Sequence, residues 1–214
     1  VAVLFVGCSD RTPTQAQRDA RWHNNQGVVQ MDQHQYARAV EEFTTAITLD
    51  EEYAIGLSNL GIAYFSLGKY DSAAVSIERA LNSDPTNRHA HYTLGLIFSA
   101  QGTKYESALS AFERVAAADD EDPLVLYYRG QVKAKLGRSE SAIEDFKASI
   151  HLDSTNVSAY YALANQYRRT DQREKWLETL NQFNQLSQNG HSGVSSAYQG
   201  QGKYAEVVAD ASLA

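Results

Sequence analysis

The sequence is poor in residues that cross-link small folds and in long apolar runs. Its 214 residues include one cysteine, one methionine and three prolines. A single cysteine excludes an intrachain disulfide framework. No apolar run reaches the ~18 residues that a membrane-spanning helix needs. The net charge of -7, without any basic stripe, argues against nucleic-acid binding, which depends on Lys and Arg neutralising phosphates.

Motifs that carry chemistry are also missing. The six histidines are scattered, and no HExxH, CxxC, GxGxxG or P-loop spacing occurs. An active site needs converging titratable groups, and the sequence indicates none. The acidic run at 119–122 precedes Pro123, so we interpret it as a turn and helix start, not as a cation site. The sequence therefore predicts a non-enzymatic protein with no cofactor, no metal and no small-molecule substrate.

One pattern repeats along most of the chain. The segment at 59–64 (NLGIAY) returns at 93–98 (TLGLIF), and a glycine, a lysine and a tyrosine follow each copy. Three sets of equivalent positions, which we call columns, recur with this period of 34 or 35 residues. A small-residue column contains Gly27, Gly61, Gly95, Gly130 and Ala164. A second column contains Ala39, Ala73, Ala108 and Ala142 and breaks at Trp176, and a third contains Phe43, Ile77, Phe112, Phe146 and Leu180. The chain is therefore a repeat array.

Each period contains two stretches of apolar residues at helical spacing, which predicts a helical hairpin. Small residues at Gly61 and Ala73 allow the two helix axes to approach to about 8 Å. Gly68, Gly102 and Gly137 are predicted to end the first helix of their hairpins in a left-handed conformation.

These residues resemble the tetratricopeptide repeat family. The repeat at 54–87 matches the family's pattern at six positions, namely Leu60, Gly61, Tyr64, Ala73, Ala80 and Pro85. The resemblance implies an all-α, right-handed solenoid of about five helical hairpins, at 20–53, 54–87, 88–122, 123–156 and 157–186. It also implies a scaffold that binds an extended peptide or a partner helix in its concave groove. Trp176 replaces a small residue, so the fifth hairpin is expected to splay or repack.

In this fold class the first helix of each hairpin lines the groove. The candidate groove residues are Asn24, Ser58, Tyr92, Tyr127 and Tyr161 in one row, Val28, Ile62, Leu96, Gln131 and Asn165 in the next, and Phe65, Lys135, Arg168 and Arg169 in the outer rows. The N-terminal half is apolar, whereas the C-terminal half is polar and basic. This gradient favours a ligand with an apolar stretch leading to an acidic or carboxylate end, or it reflects packing between adjacent repeats.

The N-terminal residues 1–8 form an apolar run that ends in Gly7 and Cys8 and then turns polar in a linker at 9–19. The run resembles the end of a bacterial lipoprotein signal peptide, which implies lipid attachment at Cys8. A short buried apolar strand or a leader remnant is the alternative. The lipoprotein interpretation implies a periplasm-facing protein of the cell envelope, held by lipid alone, and Ser9 favours the outer membrane.

After a linker at 187–196, residues 200–208 repeat the turn and the start of a second helix, so 197–214 is predicted to be a partial helical segment of a longer chain. The layout resembles bacterial proteins that continue into FG-GAP/VCBS propeller repeats and an ASPIC/UnbV module. An alternative function is therefore the recognition arm of a larger protein with a C-terminal propeller, carbohydrate-binding or enzymatic module.

Overall fold

The structure is a computed structural model, and it describes residues 12–194, 198 and 201–213. Cys8 and the rest of the apolar run lie outside the described residues. The described part contains α-helices and short 3-10 helices, and no strand. The α-helices are α1 (Gln15–Asp32), α2 (Tyr36–Leu49), α3 (Ala54–Ser66), α4 (Tyr70–Ser83), α5 (Arg88–Gln101), α6 (Tyr105–Ala118), α7 (Pro123–Lys135), α8 (Ser139–Leu152), α9 (Val157–Arg169) and α10 (Arg173–Gln188).

Consecutive helices pair into five antiparallel hairpins, and each hairpin packs on the next. The predicted all-α solenoid is therefore confirmed. None of the described helices is long and apolar enough to cross a membrane.

Local signals in the sequence determine where the helices begin and end. Gly68, Gly102 and Gly137 adopt left-handed conformations with φ of 72°, 72° and 77°, as predicted. His34 and Asp171 take the same conformation in the first and last hairpins, with φ of 58° and 57°. The side chain of Asp122 accepts hydrogen bonds from the backbone N–H groups of the first turn of α7, so the acidic run does start a helix.

The glycine column lies against the column of large side chains. A Cβ atom placed on Gly95 would lie 2.7 Å from the ring of Phe112, and one placed on Gly61 would lie 2.5 Å from the side chain of Ile77. Both large side chains are fully buried. The first helices of the first four hairpins therefore need glycine where the second helix inserts its large apolar side chain, whereas α9 has Ala164 there.

The last hairpin closes despite the tryptophan. Trp176 is partly buried and packs against the apolar cluster that contains Leu163 and Tyr167. It is thus accommodated by repacking at the end of the array. Within α10, which the structure describes completely, Thr179 is the one buried residue.

The C-terminal segment, which we define as Tyr198 and residues 201–213, returns to the array. It lies against α1, α3, α5 and the start of α7, the helices that line the concave face of this fold. The sequence pattern predicted the start of an α-helix, but the segment contains 3-10 helices at Lys203–Ala205 and Ala211–Leu213, with an extended stretch between them. Several of its backbone groups bond to side chains of the array, so they are not available for helical hydrogen bonds.

Candidate functional site

Two asparagines at equivalent positions of successive repeats hold the backbone of the C-terminal segment. The side-chain amide of Asn59 accepts a hydrogen bond from the N–H of Val208 at 2.9 Å and donates to its C=O at 2.8 Å. Asn25 makes the same pair with Asp210, at 2.8 and 3.1 Å. An advance of one repeat along the array therefore corresponds to an advance of two residues along the segment. Alternate residues of an extended chain point in the same direction, which explains this step.

A third asparagine supports this arrangement. Asn24 donates to the C=O of Val208 at 3.2 Å, and its oxygen accepts from Asn59 at 2.8 Å. Asn24 and Asn59 are both fully buried. A buried amide without partners is costly, by about 1 to 3 kcal/mol for each unpaired group. The array therefore presents amides that need backbone partners from an extended chain.

His89 continues the contact with the backbone at the third repeat. Its Nδ1 lies 3.1 Å from the C=O of Glu206. The imidazole meets the ring of Tyr204 edge-on, with centroids 5.3 Å apart. Burial lowers the pKa of His89, and the nearby charges of Arg88 and Lys203 act in the same direction. The neutral ring with its proton on Nδ1 is therefore the form that suits this site.

A pocket between the third and fourth repeats holds the side chain of Tyr204. The hydroxyl of Tyr204 donates to the carboxylate of Asp119 at 2.6 Å, and the side chain is 6% exposed. The ring lies 6.0 Å from that of Tyr92 and 5.7 Å from the guanidinium of Arg88. Lys203 also bonds to Asp119, and these two contacts lower the pKa of Asp119 to about 2.

A second side-chain pocket lies at the N-terminal end of the array, around Asp210. Its carboxylate accepts a hydrogen bond from the hydroxyl of Tyr53 at 2.8 Å and lies 3.5 Å from the guanidinium of Arg21. Burial opposes ionisation of this carboxyl group. Hydrogen bonds from Ser212 and Tyr53, together with the charge of Arg21, outweigh burial and lower the pKa of Asp210.

Gly202 lets the chain turn into the groove. It has a φ of 104°, which side chains other than hydrogen rarely tolerate. A Cβ atom there would lie 3.1 Å from both the hydroxyl of Tyr92 and the side chain of Leu124. The hydroxyl of Tyr92 donates to the C=O of Gln201. The turn is therefore held by a hydrogen bond at Gln201 and by close packing at Gly202.

The predicted groove residues divide into two groups. Those of the N-terminal repeats contact the C-terminal segment directly or belong to clusters and clefts that contain its residues. They are Asn24, Val28, Ser58, Ile62, Phe65, Tyr92 and Leu96. We call this part of the surface the filled half of the groove.

The predicted residues of the C-terminal repeats surround an open space. Tyr127, Gln131, Lys135, Tyr161 and Asn165 line a cavity of about 540 Å³, together with Phe183. Arg168 and Arg169 are exposed at the end of α9, and Arg169 donates to the C=O of Ala134 at 3.3 Å. We call this cavity the open half of the groove.

The residues that bind most of the segment's backbone and side chains are not among the predicted groove residues. Asn25 and Asn59 are both two positions before the small-residue column, so an identical amide at a spacing of 34 residues was the available signal. Arg21, Tyr53 and Asp119 carry no such period. Their role depends on where the C-terminal segment returns to the array.

The comparisons with known proteins identify the class. The family model described as "Tetratricopeptide repeat" matches residues 24–88, 58–104 and 92–157. This chain belongs to the tetratricopeptide repeat family.

Similar curated proteins are longer. A repeat-containing protein of Methanocaldococcus jannaschii is 28% identical over 163 residues, which cover 74% of this chain and 28% of the relative. The small glutamine-rich tetratricopeptide repeat-containing protein 2 of Saccharomyces cerevisiae is 29% identical over 137 residues, covering 64% of this chain and 36% of the relative. The matched region thus spans roughly a third of each relative or less.

Solved structures share the fold. MamA residues 41 to the end from Desulfovibrio magneticus RS-1 superimposes with a TM-score of 0.75 at 21% identity, covering 81% of this chain and 98% of that one. YrrB, described as a tetratricopeptide repeat protein with an unusual peptide-binding site, has a TM-score of 0.71 at 23% identity, covering 80% and 88%. At these identities the likeness is one of fold.

Docking of the C-terminal segment is expected to weaken as the pH falls from 7 to about 5. Burial lowers the pKa of docked His89 below its ordinary value of 6.5, whereas released His89 regains that value. Binding of a proton therefore favours release of the segment. The contribution of His89 to the stability of docking is complete above pH 6.5 and is lost as the pH falls toward the pKa of docked His89. Burial raises the pKa of docked Glu206 above its ordinary value of 4.5, so protonation of this carboxyl group favours docking and acts in the opposite direction as the pH falls through the raised pKa.

Hydrogen exchange at the Val208 and Asp210 amides, corrected for intrinsic rates, measures this pH dependence. The His89→Gln variant keeps a side-chain donor but does not titrate, so its protection should change less between pH 7 and 5. An unchanged pH dependence in that variant would exclude His89 as the cause.

Proposed function

We propose that this protein is a non-enzymatic scaffold that binds an extended polypeptide along its concave face through the main chain of the ligand. One observation carries the proposal: Asn25 and Asn59 each pair with both the N–H and the C=O of one residue in an extended segment. Main-chain hydrogen bonds supply affinity in extended-peptide recognition, and side-chain pockets supply specificity. The ligand is a protein or peptide, and no nucleic acid is involved.

The C-terminal segment of the chain occupies the filled half of the groove in place of such a ligand. It uses the amides of Asn25 and Asn59, so a partner that binds there must displace it. A tethered segment competes at an effective concentration on the order of millimolar. A partner must therefore make better contacts than the segment or bind where the segment is released.

A longer partner would also enter the open half of the groove. Tyr161 offers exposed aromatic surface there, with Tyr127 buried in the wall of the cavity. Lys135 and Arg168 are exposed cations that would favour an acidic or carboxylate end. The side-chain oxygen of Gln166, which lines the cavity, is buried without a hydrogen-bond partner among the described residues.

Proline substitutions test main-chain binding without changing the array. Val208→Pro and Asp210→Pro together remove the two N–H groups that Asn59 and Asn25 accept. The doubly substituted full chain should release its segment and bind an added peptide with the native sequence of residues 198–213. A peptide that carries the same two prolines should bind at least about tenfold more weakly, because two buried acceptors lose their donors. Fluorescence anisotropy of labelled peptides measures both affinities.

The matched control is the peptide with Ala209→Pro. Ala209 lies between the two paired residues, and its side chain is exposed. This peptide should lose less affinity than the doubly substituted one. If the native peptide binds no better than the doubly substituted peptide, main-chain recognition is wrong.

We further propose that the chain is anchored to a bacterial envelope membrane by lipid on Cys8, with the array facing the periplasm. The support is the apolar run at 1–6, followed by Gly7 and by Cys8, the one cysteine of the sequence. We propose the outer membrane as the location of the anchor because Ser9 follows the cysteine.

Metabolic labelling with palmitate tests the anchor when the chain is expressed behind a complete signal sequence. The wild type should carry the label, and Cys8→Ser should lose it because no other thiol is present. Ser9→Ala serves as the neighbouring control and should keep the label. Label that persists in Cys8→Ser would rule out this attachment site.

A further inference from the structure

We infer that the partners of this groove carry a tyrosine followed by a small residue, with an aspartate six positions after the tyrosine and an extended stretch leading to that aspartate. The inference rests on the proposed function and names the ligand class of that site. It comes from the side chains that the array selects in its own C-terminal segment, where Tyr204, Ala205 and Asp210 occupy these positions.

Burial separates the selected positions from the others. Tyr204 and Ala205 are 6% and 5% exposed, and the side chain of Asp210 is 10% exposed. Glu206 and Ala209 are exposed, although they lie between the selected positions. The array therefore encloses the side chains most fully at two separated places. Between them Val207 packs partly buried against the cluster that contains Tyr198, and the backbone is held by the asparagines.

The tyrosine pocket distinguishes tyrosine from its near relatives. The hydroxyl bonds to Asp119, which is placed by the turn before α7, while Tyr92 and His89 pack against the ring. A phenylalanine would fill the pocket but lose the bond to Asp119. A phosphorylated tyrosine would bring its phosphate against the carboxylates of Asp119 and Asp122, so phosphorylation should prevent binding.

The aspartate pocket requires a short anionic side chain. Tyr53 donates to the carboxylate, and the guanidinium of Arg21 lies beside it. An asparagine of the same size would keep the bond from Tyr53 but lose the attraction to Arg21. The small residue after the tyrosine is required because Ala205 is enclosed in the cluster that contains Tyr92 and Leu96.

Successive repeats set the spacing between the two pockets. The tyrosine pocket is built from α5 and the turn between α6 and α7, and the aspartate pocket from α1 and the start of α3. Asn59 and Asn25 hold the intervening backbone in register, two residues for each repeat. One inserted residue in the ligand would turn alternate side chains to the opposite side, so both pockets cannot then be filled.

Peptide binding to the full chain with Val208→Pro and Asp210→Pro tests this pattern. The parent peptide has the sequence of residues 198–213. Substitutions within the peptide at the selected positions are Tyr204→Ala and Asp210→Asn, and the matched controls at exposed positions are Ala209→Ser and Ala211→Ser. We expect about tenfold or greater weakening for Tyr204→Ala, several-fold for Asp210→Asn, and less than about twofold for the controls.

Two further peptides sharpen the test. A phosphate on Tyr204, or one alanine inserted between residues 207 and 208, should each weaken binding at least about tenfold. Tighter binding of the phosphorylated peptide would overturn the tyrosine pocket, and equal binding of the lengthened peptide would overturn the spacing.

The outcomes separate this inference from the proposed function. If the parent and all substituted peptides bind equally well, main-chain recognition stands and the side-chain pattern is wrong. If the parent peptide does not bind, the proposed function itself fails. If the wild-type chain forms concentration-dependent dimers that the parent peptide does not dissociate, a second copy of the chain is the occupant and the inference is overturned.

Discussion

Replacing Asn59 with leucine should release the C-terminal segment while leaving the helical array folded. Leucine is similar in size to asparagine and suits a helix, but it offers no hydrogen bond. The N–H of Val208 and the side-chain oxygen of Asn24 would then lose their partner. Each unpaired buried group costs about 1 to 3 kcal/mol, which is enough to favour undocking.

Hydrogen exchange provides the measurement for Asn59→Leu. The protection of the Val208 amide should fall by roughly 10- to 100-fold, whereas amides within α3 to α8 should keep theirs. Asn165→Leu is the matched control, because Asn165 lies on the same face in the open half of the groove. If Val208 keeps its protection in Asn59→Leu, the asparagine does not hold the segment.

The substitution Gly95→Leu should destabilise the array itself. Even a Cβ atom on Gly95 would lie 2.7 to 2.8 Å from three atoms of the Phe112 ring. Phe112 is fully buried, and its ring stacks with the ring of Tyr128, with the ring centroids 5.9 Å apart. The ring of Phe112 is therefore confined by its neighbours. Overpacking of this kind costs about 3 kcal/mol or more. For a chain of this size that corresponds to a loss of roughly 6 to 12 °C in melting temperature.

Thermal unfolding followed by circular dichroism checks this expectation against two controls. Ala100→Leu makes a comparable change at an exposed position of the same helix, and Glu144→Gln changes an exposed side chain. Surface changes of this kind usually stay within about 0.5 kcal/mol. Equal melting temperatures for Gly95→Leu and Glu144→Gln would refute the packing of the glycine column.

Much of the fold was predictable because its signals are local and repeated. Gly68, Gly102 and Gly137 each end the first helix of a hairpin. The contact between a column glycine and a large side chain 16 or 17 residues later recurs in the first four hairpins. In a solenoid each repeat contacts chiefly its neighbours, so a pattern of 34 residues contains most of the information about packing. The rows of residues that line the groove follow from the same period.

The candidate site was only partly predictable for the same reason. Tyr92 and Asn24 were selected from their helical phase, whereas Asn25 and Asn59 were not. The acidic run was expected to begin α7, and Asp122 does so, yet Asp119 also binds Tyr204. Contacts between residues separated by 85 positions in sequence leave no periodic signal.

The amino-acid sequence by itself determined the helical hairpins, their period and the face that forms the groove, since these depend on contacts within one repeat and with the next. The tertiary structure alone decided that residues 201–213 do not form the α-helix that their sequence pattern predicts. They form two 3-10 helices joined by an extended stretch that lies against α1, α3 and α5. The physical reason is competition for backbone hydrogen bonds. Buried amides at Asn24 and Asn59 need partners, and the returning segment can satisfy them only by leaving some of its own N–H and C=O groups out of a helix.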